Sequence, residues 1–132
     1  MPLARTSVTK FLNVDLDLRV QSDLGVSLKA LAPSVMVLNK TANSASVEMN
    51  REFTSLEDTV LHFILIIKEF SPAVNQIWNQ CDFRRINIGI QAGLGPREAY
   101  FTLSNQAISL LASVQSEITF TVYAPPETVR LT

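Results

Sequence analysis

The chain is predicted to fold as an α+β two-layer sandwich, a mixed and mostly antiparallel sheet with helices on one face, in the order β-α-β-β-α-α-β-β-α-β. Three observations predict it. Residues 11–20, 45–50 and 85–91 alternate apolar and polar side chains with period two, as strands wet on one side do. Residues 55–70 and 104–114 carry apolar positions at helical spacing. A length of 132 residues, 47% apolar and 17% charged, fits one domain around one core.

Each element has a local reason. In residues 11–20, Leu12, Val14, Leu16, Leu18 and Val20 point one way and Asn13, Asp15, Asp17 and Arg19 the other. Ser22 is placed to cap a short helix through Leu24, Leu28 and Leu31, which Pro33 ends. Val35, Met36, Val37 and Leu38 are continuously apolar, the pattern of a central or deeply placed strand. Residues 40–43 are turn-like, and Ala45, Val47 and Met49 mark the return strand of a hairpin.

Ser55 followed by Glu57 and Asp58 gives a capped, dipole-matched start to a helix running to about residue 70. Pro72 suits a first helical position and opens a second helix holding Val74, Ile77 and Trp78. Ile86, Ile88 and Ile90 set the inner side of the next strand. Gly93-Leu94-Gly95-Pro96 reads as a hairpin turn into a strand at 100–103. Ser104 then caps a helix through Ile108, Leu110, Leu111 and Val114, and 118–123 form the last strand. The domain is expected over residues 11–124, with 1–10 and 125–132 as flexible tails.

The 11 basic and 12 acidic residues nearly cancel and no run of like charge occurs, so a nucleic-acid partner is not expected. The longest apolar stretch, 63–67, or 60–67 if His62 is tolerated, falls far short of the ~20 residues that span a bilayer, and no membrane association is expected. The first ten residues lack a hydrophobic segment of signal-peptide length, and with Cys81 the single cysteine no internal disulfide can form. Both features lead to the expectation of a reducing, cytoplasmic setting.

If helices cover one side of the sheet, the polar positions of several strands share the other. That side collects Asn13, Asp15, Asp17 and Arg19, then Glu48, then Arg85, Asn87 and Gln91, and finally Thr119, Thr121 and Tyr123. Same-face neighbours along a strand lie ~6.6 Å apart, so Asp15 and Asp17 can bracket one cation or one water. One reading makes them ligands or an acid and base, with an arginine to hold an anionic group. The other makes them the ordinary wet side of a strand, Asp17 pairing with Arg19 or Arg85. Under either reading the candidate binding residues are Asp15, Asp17, Arg19, Arg85, Asn87, Gln91 and Tyr123.

No metal or other cofactor is called for, since two aspartates without a nearby histidine or further acidic cluster are too few ligands. No P-loop, G-x-S-x-G elbow, Cys/His metal spacing or H-E-x-x-H occurs, and the lone Gly93-Leu94-Gly95 lacks the rest of a dinucleotide fingerprint. His62 falls off the helix's main apolar stripe, and Cys81 is expected in packing rather than catalysis. Leu61, Leu65 and Ile66 make the helix over 55–70 apolar almost all round, so it needs a second cover. The following helix or a second subunit can supply it, and a homodimer is expected.

Residues 11–18 (Phe-Leu-Asn-Val-Asp-Leu-Asp-Leu), Trp78-Asn79-Gln80-Cys81 leading into 85–93, and the final Thr121-Val122-Tyr123 together resemble a family of small bacterial proteins of unknown function. The resemblance covers most of the chain. It implies a bacterial cytosolic single domain, transfers no catalytic residue, and singles out Trp78, Arg85 and Gly89. The expected function is a non-enzymatic protein-interaction module, of which a toxin-neutralising immunity protein is one concrete form. The alternative is a small-molecule binder or enzyme using a polar pocket on the open sheet face.

Overall fold

The computed structural model describes residues 8–21, 29, 35–49, 55–70, 72–95 and 97–125. Among the described residues five strands and three helices make an α+β fold: β1 (Lys10–Arg19), β2 (Val35–Lys40), β3 (Ser44–Met49), α1 (Leu56–Lys68), α2 (Pro72–Asn79), β4 (Phe83–Gln91), α3 (Asn105–Ser113) and β5 (Glu117–Tyr123). The mixed sheet has the order β2-β3-β1-β4-β5. Only β4 and β5 are parallel, joined by the crossover through α3; every other pair is antiparallel.

Alternation in the sequence becomes two unlike faces. Val14, Leu16 and Leu18 of β1, Ala45 and Val47 of β3, and Ile86 and Ile88 of β4 are buried and join one apolar cluster with Phe63, Ile64 and Ile67 of α1 and Leu111 of α3. The intervening polar side chains are half-buried. Burying this many branched and aromatic side chains is the main source of stability, at about 1.5–3 kcal/mol for each large one.

The starts of α1 and α3 are capped as their sequences dictate. Ser55 accepts from the Asp58 amide and Ser104 from the Ala107 amide. Glu57, in the first turn of α1, also accepts the backbone N–H of Ser104 at 2.7 Å, which ties the two helix starts together. Trp78 is buried, donates its indole N–H to the Val114 carbonyl at 3.1 Å, and meets Phe70 edge to face at 6.0 Å. Arg84 donates to the Trp78, Cys81 and Gln115 carbonyls, so it closes the ends of α2 and α3 with one guanidinium. Gln115 takes the left-handed conformation (φ 61°) that ends α3, with Ser116 N–H bonded back to Leu111.

Three expectations meet a different outcome, and a fourth falls largely outside the described residues. The apolar run at 35–38 is an edge strand, not a central one, and Met36, Val37 and Leu38 are each about half exposed. An unbroken apolar run carries no phase, and the hairpin attaches to β1 through β3, which pushes β2 outward. Residues 100–103 form no strand, and Tyr100 is 81% exposed. The edge of β4 that a hairpin partner would need is taken by β5 in parallel. Leu12 lies outward because the ladder slips between Phe11 and Asn13, so Phe11 packs against the core in its place. The helix expected over 22–31 lies outside the described residues except for Lys29, which is helical.

Leu65 stays 55% exposed, while Ile66 and Phe70 pack against the core, so the second cover over α1 is partial. Cys81 is buried, and burial pushes its thiol above the ordinary value. Among the described residues no helix is long and apolar enough to cross a membrane.

Candidate functional site

The polar face is built by register. Asp17 stands between Ser46 on β3 and Arg85 on β4, and Asp15 stands between Glu48 and Asn87. Because partners in register share a face, the sheet turns five separate sequence segments into one surface.

Arg85 donates from Nε at 3.0 Å and Nη2 at 2.8 Å to the same Asp17 oxygen, and Ser46 donates to the other at 2.7 Å. Asn13 donates to Glu48 at 2.8 Å, and Thr121 donates to Asn87 at 2.8 Å. The polar side chains thus engage one another across strands and hold the face in one arrangement. Gly89 lies under this network: a Cβ there would run into the Asn13 side-chain oxygen, so a larger residue would require the Asn13 side chain to shift.

Asp15 is the exception to the pairing. One of its oxygens is buried with no hydrogen-bond partner among the described residues. Its carboxyl is pushed up to about 6, first by burial, then by the Glu48 carboxylate beside it and the hydrogen bond between them, and last by Asp17. A protonated Asp15 donating to Glu48 satisfies this pair, and two ionised carboxylates do not.

At the other end of β1 the face changes character. The guanidinium groups of Arg19 and Arg85 both lie over the Phe83 ring, 5.5 and 4.9 Å from its centre. A shallow recess of about 180 Å³ is lined there by Asp17, Arg19, Asn39, Ser44, Phe83 and Arg85. A wider open recess of about 480 Å³ adjoins it at Arg19 and is lined also by Gln21, Asn43 and Asp82. Arg19 is exposed, and among the described residues no carboxylate pairs with it. A third recess of about 310 Å³, between the helices, is lined by Lys68, Asn75, Trp78 and Asn79 and brings no cluster of titratable groups together.

The expected site residues therefore divide. Asp17, Arg19 and Arg85 meet around Phe83, and Asp15 and Asn87 adjoin them. Gln91 and Tyr123 pair in register at the far end of the sheet, six residues or ~20 Å along β4 from Arg85. There Gln91 donates to the Ala124 carbonyl at 2.8 Å, a structural bond that closes the sheet corner. Among the described residues no group of three His, Cys, Asp or Glu side chains is placed to hold a metal.

Phe83, Ser44, Ser46 and Asn39 belong to the site and were not picked out by sequence reasoning. Phe83 had a readable signal: it continues the Arg85–Asn87–Gln91 parity, an aromatic on the wet side of a strand. The others are small polar residues whose relevance depends on strand pairing alone. No protein family matches the chain, and no curated protein or solved structure is significantly similar to it.

Proposed function

We propose that this chain is a non-enzymatic protein-interaction module that binds a protein partner through the open face of its sheet, centred on Arg19 and Phe83. The carrying observation is the cluster itself. Two arginines stacked on a partly exposed phenylalanine, rimmed by serine and asparagine and set between two shallow recesses, have the composition of an interface centre. The surrounding hydrogen bonds hold the face in place before binding, which limits the ordering cost of association.

This reading goes with a two-layer arrangement in which the helices lie on the buried side of the sheet and leave the polar side to the partner. It also goes with a bacterial, cytoplasmic setting, and a chain whose single cysteine, Cys81, cannot form an internal disulfide suits a reducing compartment. A toxin-neutralising immunity protein is one concrete form.

A second reading rests on the raised carboxyl of Asp15, since a perturbed acid in a cleft marks acid–base chemistry. Among the described residues the recess on this face beside Asp17 does not include Asp15 and measures about 180 Å³, below the ~300–1,000 Å³ of small-molecule sites. Burial first, and then the Glu48 carboxylate beside it, account for the shift without a substrate.

The test is affinity capture from the native host with the wild-type chain, followed by binding measurements on the captured partner with Arg19→Ala and Phe83→Ala. Both variants leave the Asp17–Arg85 pair in place, so circular dichroism should match wild type while binding weakens tenfold or more, about 1.4 kcal/mol. Wild-type affinity in both variants rules out this face as the interface.

A further inference from the structure

We propose that two copies of this chain pair through the free edge of β5, antiparallel and about a two-fold axis at Phe120, which joins the two sheets into one. β5 ends the strand order, and no described strand pairs with its outer edge. The Tyr123 carbonyl accepts from the Ala92 amide and so points inward to β4. By alternation the backbone groups of Glu117, Thr119, Thr121 and Tyr123 face β4, and those of Ile118, Phe120 and Val122 face outward, unpaired by any described strand.

The strand is self-complementary about its midpoint. It runs from Glu117 to Tyr123, so Phe120 is its centre, and the turn at Gln115 and the following Ala124-Pro125 limit it at both ends. A two-fold there sets Phe120 opposite its own copy and Ile118 opposite Val122 of the second copy. These are the residues whose backbone groups no described strand pairs, so each pair exchanges two hydrogen bonds. On the polar face Thr119 meets Thr121, and on the other Ile118, Val122 and Phe120 meet one another, both favourable cross-strand combinations. Phe120 and Val122 are 51% and 61% exposed in the single chain, apolar surface that this pairing removes from water.

The other edge is less suited. β2 has a register shift between Val37 and Asn39 and carries Lys40, the irregularity and charge that blunt strand addition. β5 pairs with β4 through seven consecutive residues without a shift and bears no charge after Glu117. This pairing is independent of the Arg19–Phe83 surface, so a monomer that still captures its partner refutes the pairing and leaves the proposed function standing.

The experiment is sedimentation equilibrium of the full chain across roughly 1 µM to 1 mM, a range that brackets a small strand-edge interface. A monomer–dimer equilibrium is expected, shifted at least tenfold towards monomer by Phe120→Lys, which sets two like charges opposite each other. Oxidation of Phe120→Cys should link two chains covalently, because hydrogen-bonded pairs have Cα atoms ~5.5 Å apart, within disulfide reach. Thr119→Cys should not link, its two copies lying beyond ~7 Å across the axis. Three outcomes overturn the proposal: a monomer throughout, a dimer that Phe120→Lys leaves unchanged in folded protein, and open-ended oligomers of the kind β2-to-β5 joining would give. If Phe120→Lys fails to fold, the two cysteine variants decide alone, and equal linkage at both positions overturns it.

Discussion

Arg85 sets both Nε and Nη2 on one oxygen of Asp17, 68 residues away in sequence, and Ser46 occupies the other oxygen. One carboxylate thereby ties three neighbouring strands. The Asp17 side chain is 13% exposed and that of Arg85 33%, so the pair is neither buried nor free in water. Arg85→Ala should cost about 1–2 kcal/mol, because it leaves a mostly buried carboxylate with a single donor. In urea unfolding, Asp17→Ala with Arg85→Ala should cost less than the sum of the two, with a coupling of about 1 kcal/mol. Strict additivity would mean that the pair contributes nothing to folding.

Asp15 predicts a pH dependence of definite sign. Its carboxyl is raised from 3.8 to about 6, so the folded chain holds this proton more tightly than the unfolded one. The resulting stability is full below about pH 4 and is lost as pH rises through about 6. The loss amounts to about 1–2 kcal/mol, allowing for solvent screening of a half-open group. Asp15→Asn cannot ionise and its amide can donate to Glu48, so it should be more stable than wild type near pH 7.5 and flatter between about pH 4 and 7. Urea midpoints measured for both proteins over that range check this. Parallel pH profiles would show that Asp15 is not the responsible group.

Gly89→Ala should destabilise by about 1–2 kcal/mol, more than a typical surface substitution, because the new methyl takes the space of the Asn13 side-chain oxygen. The clash is with a side chain, so Asn13→Ala should relieve part of it, and the double variant should be more stable than the two single costs predict. Thermal melts of the four proteins decide. A double variant as unstable as the sum places the cause elsewhere, in the backbone of β4.

The polar face was legible to the extent that parity was legible. NVDLDLRV, residues 13–20, fixes Asp15, Asp17 and Arg19 on the side opposite Val14, Leu16 and Leu18 whatever the strand's neighbours, because alternation is a property of the extended chain. The same rule assigned Arg85 and Asn87 correctly. It failed at Leu12, where one extra residue in the ladder resets the phase, and a bulge leaves no mark in a short apolar–polar pattern.

The features that residue order specifies are therefore local: capped helix starts at Ser55 and Ser104, strands at 11–20 and 85–91, and two faces of opposite character. Which strands lie side by side emerges from long-range packing. That choice made β2 an edge, put β5 parallel to β4 in place of a hairpin, brought Phe83 beneath Arg19 and Arg85, and sent Gln91 and Tyr123 to the far end. The reason is physical. Periodicity follows from bond geometry within one segment, whereas pairing is set by the summed burial and hydrogen bonding of segments distant in sequence, which no single stretch contains.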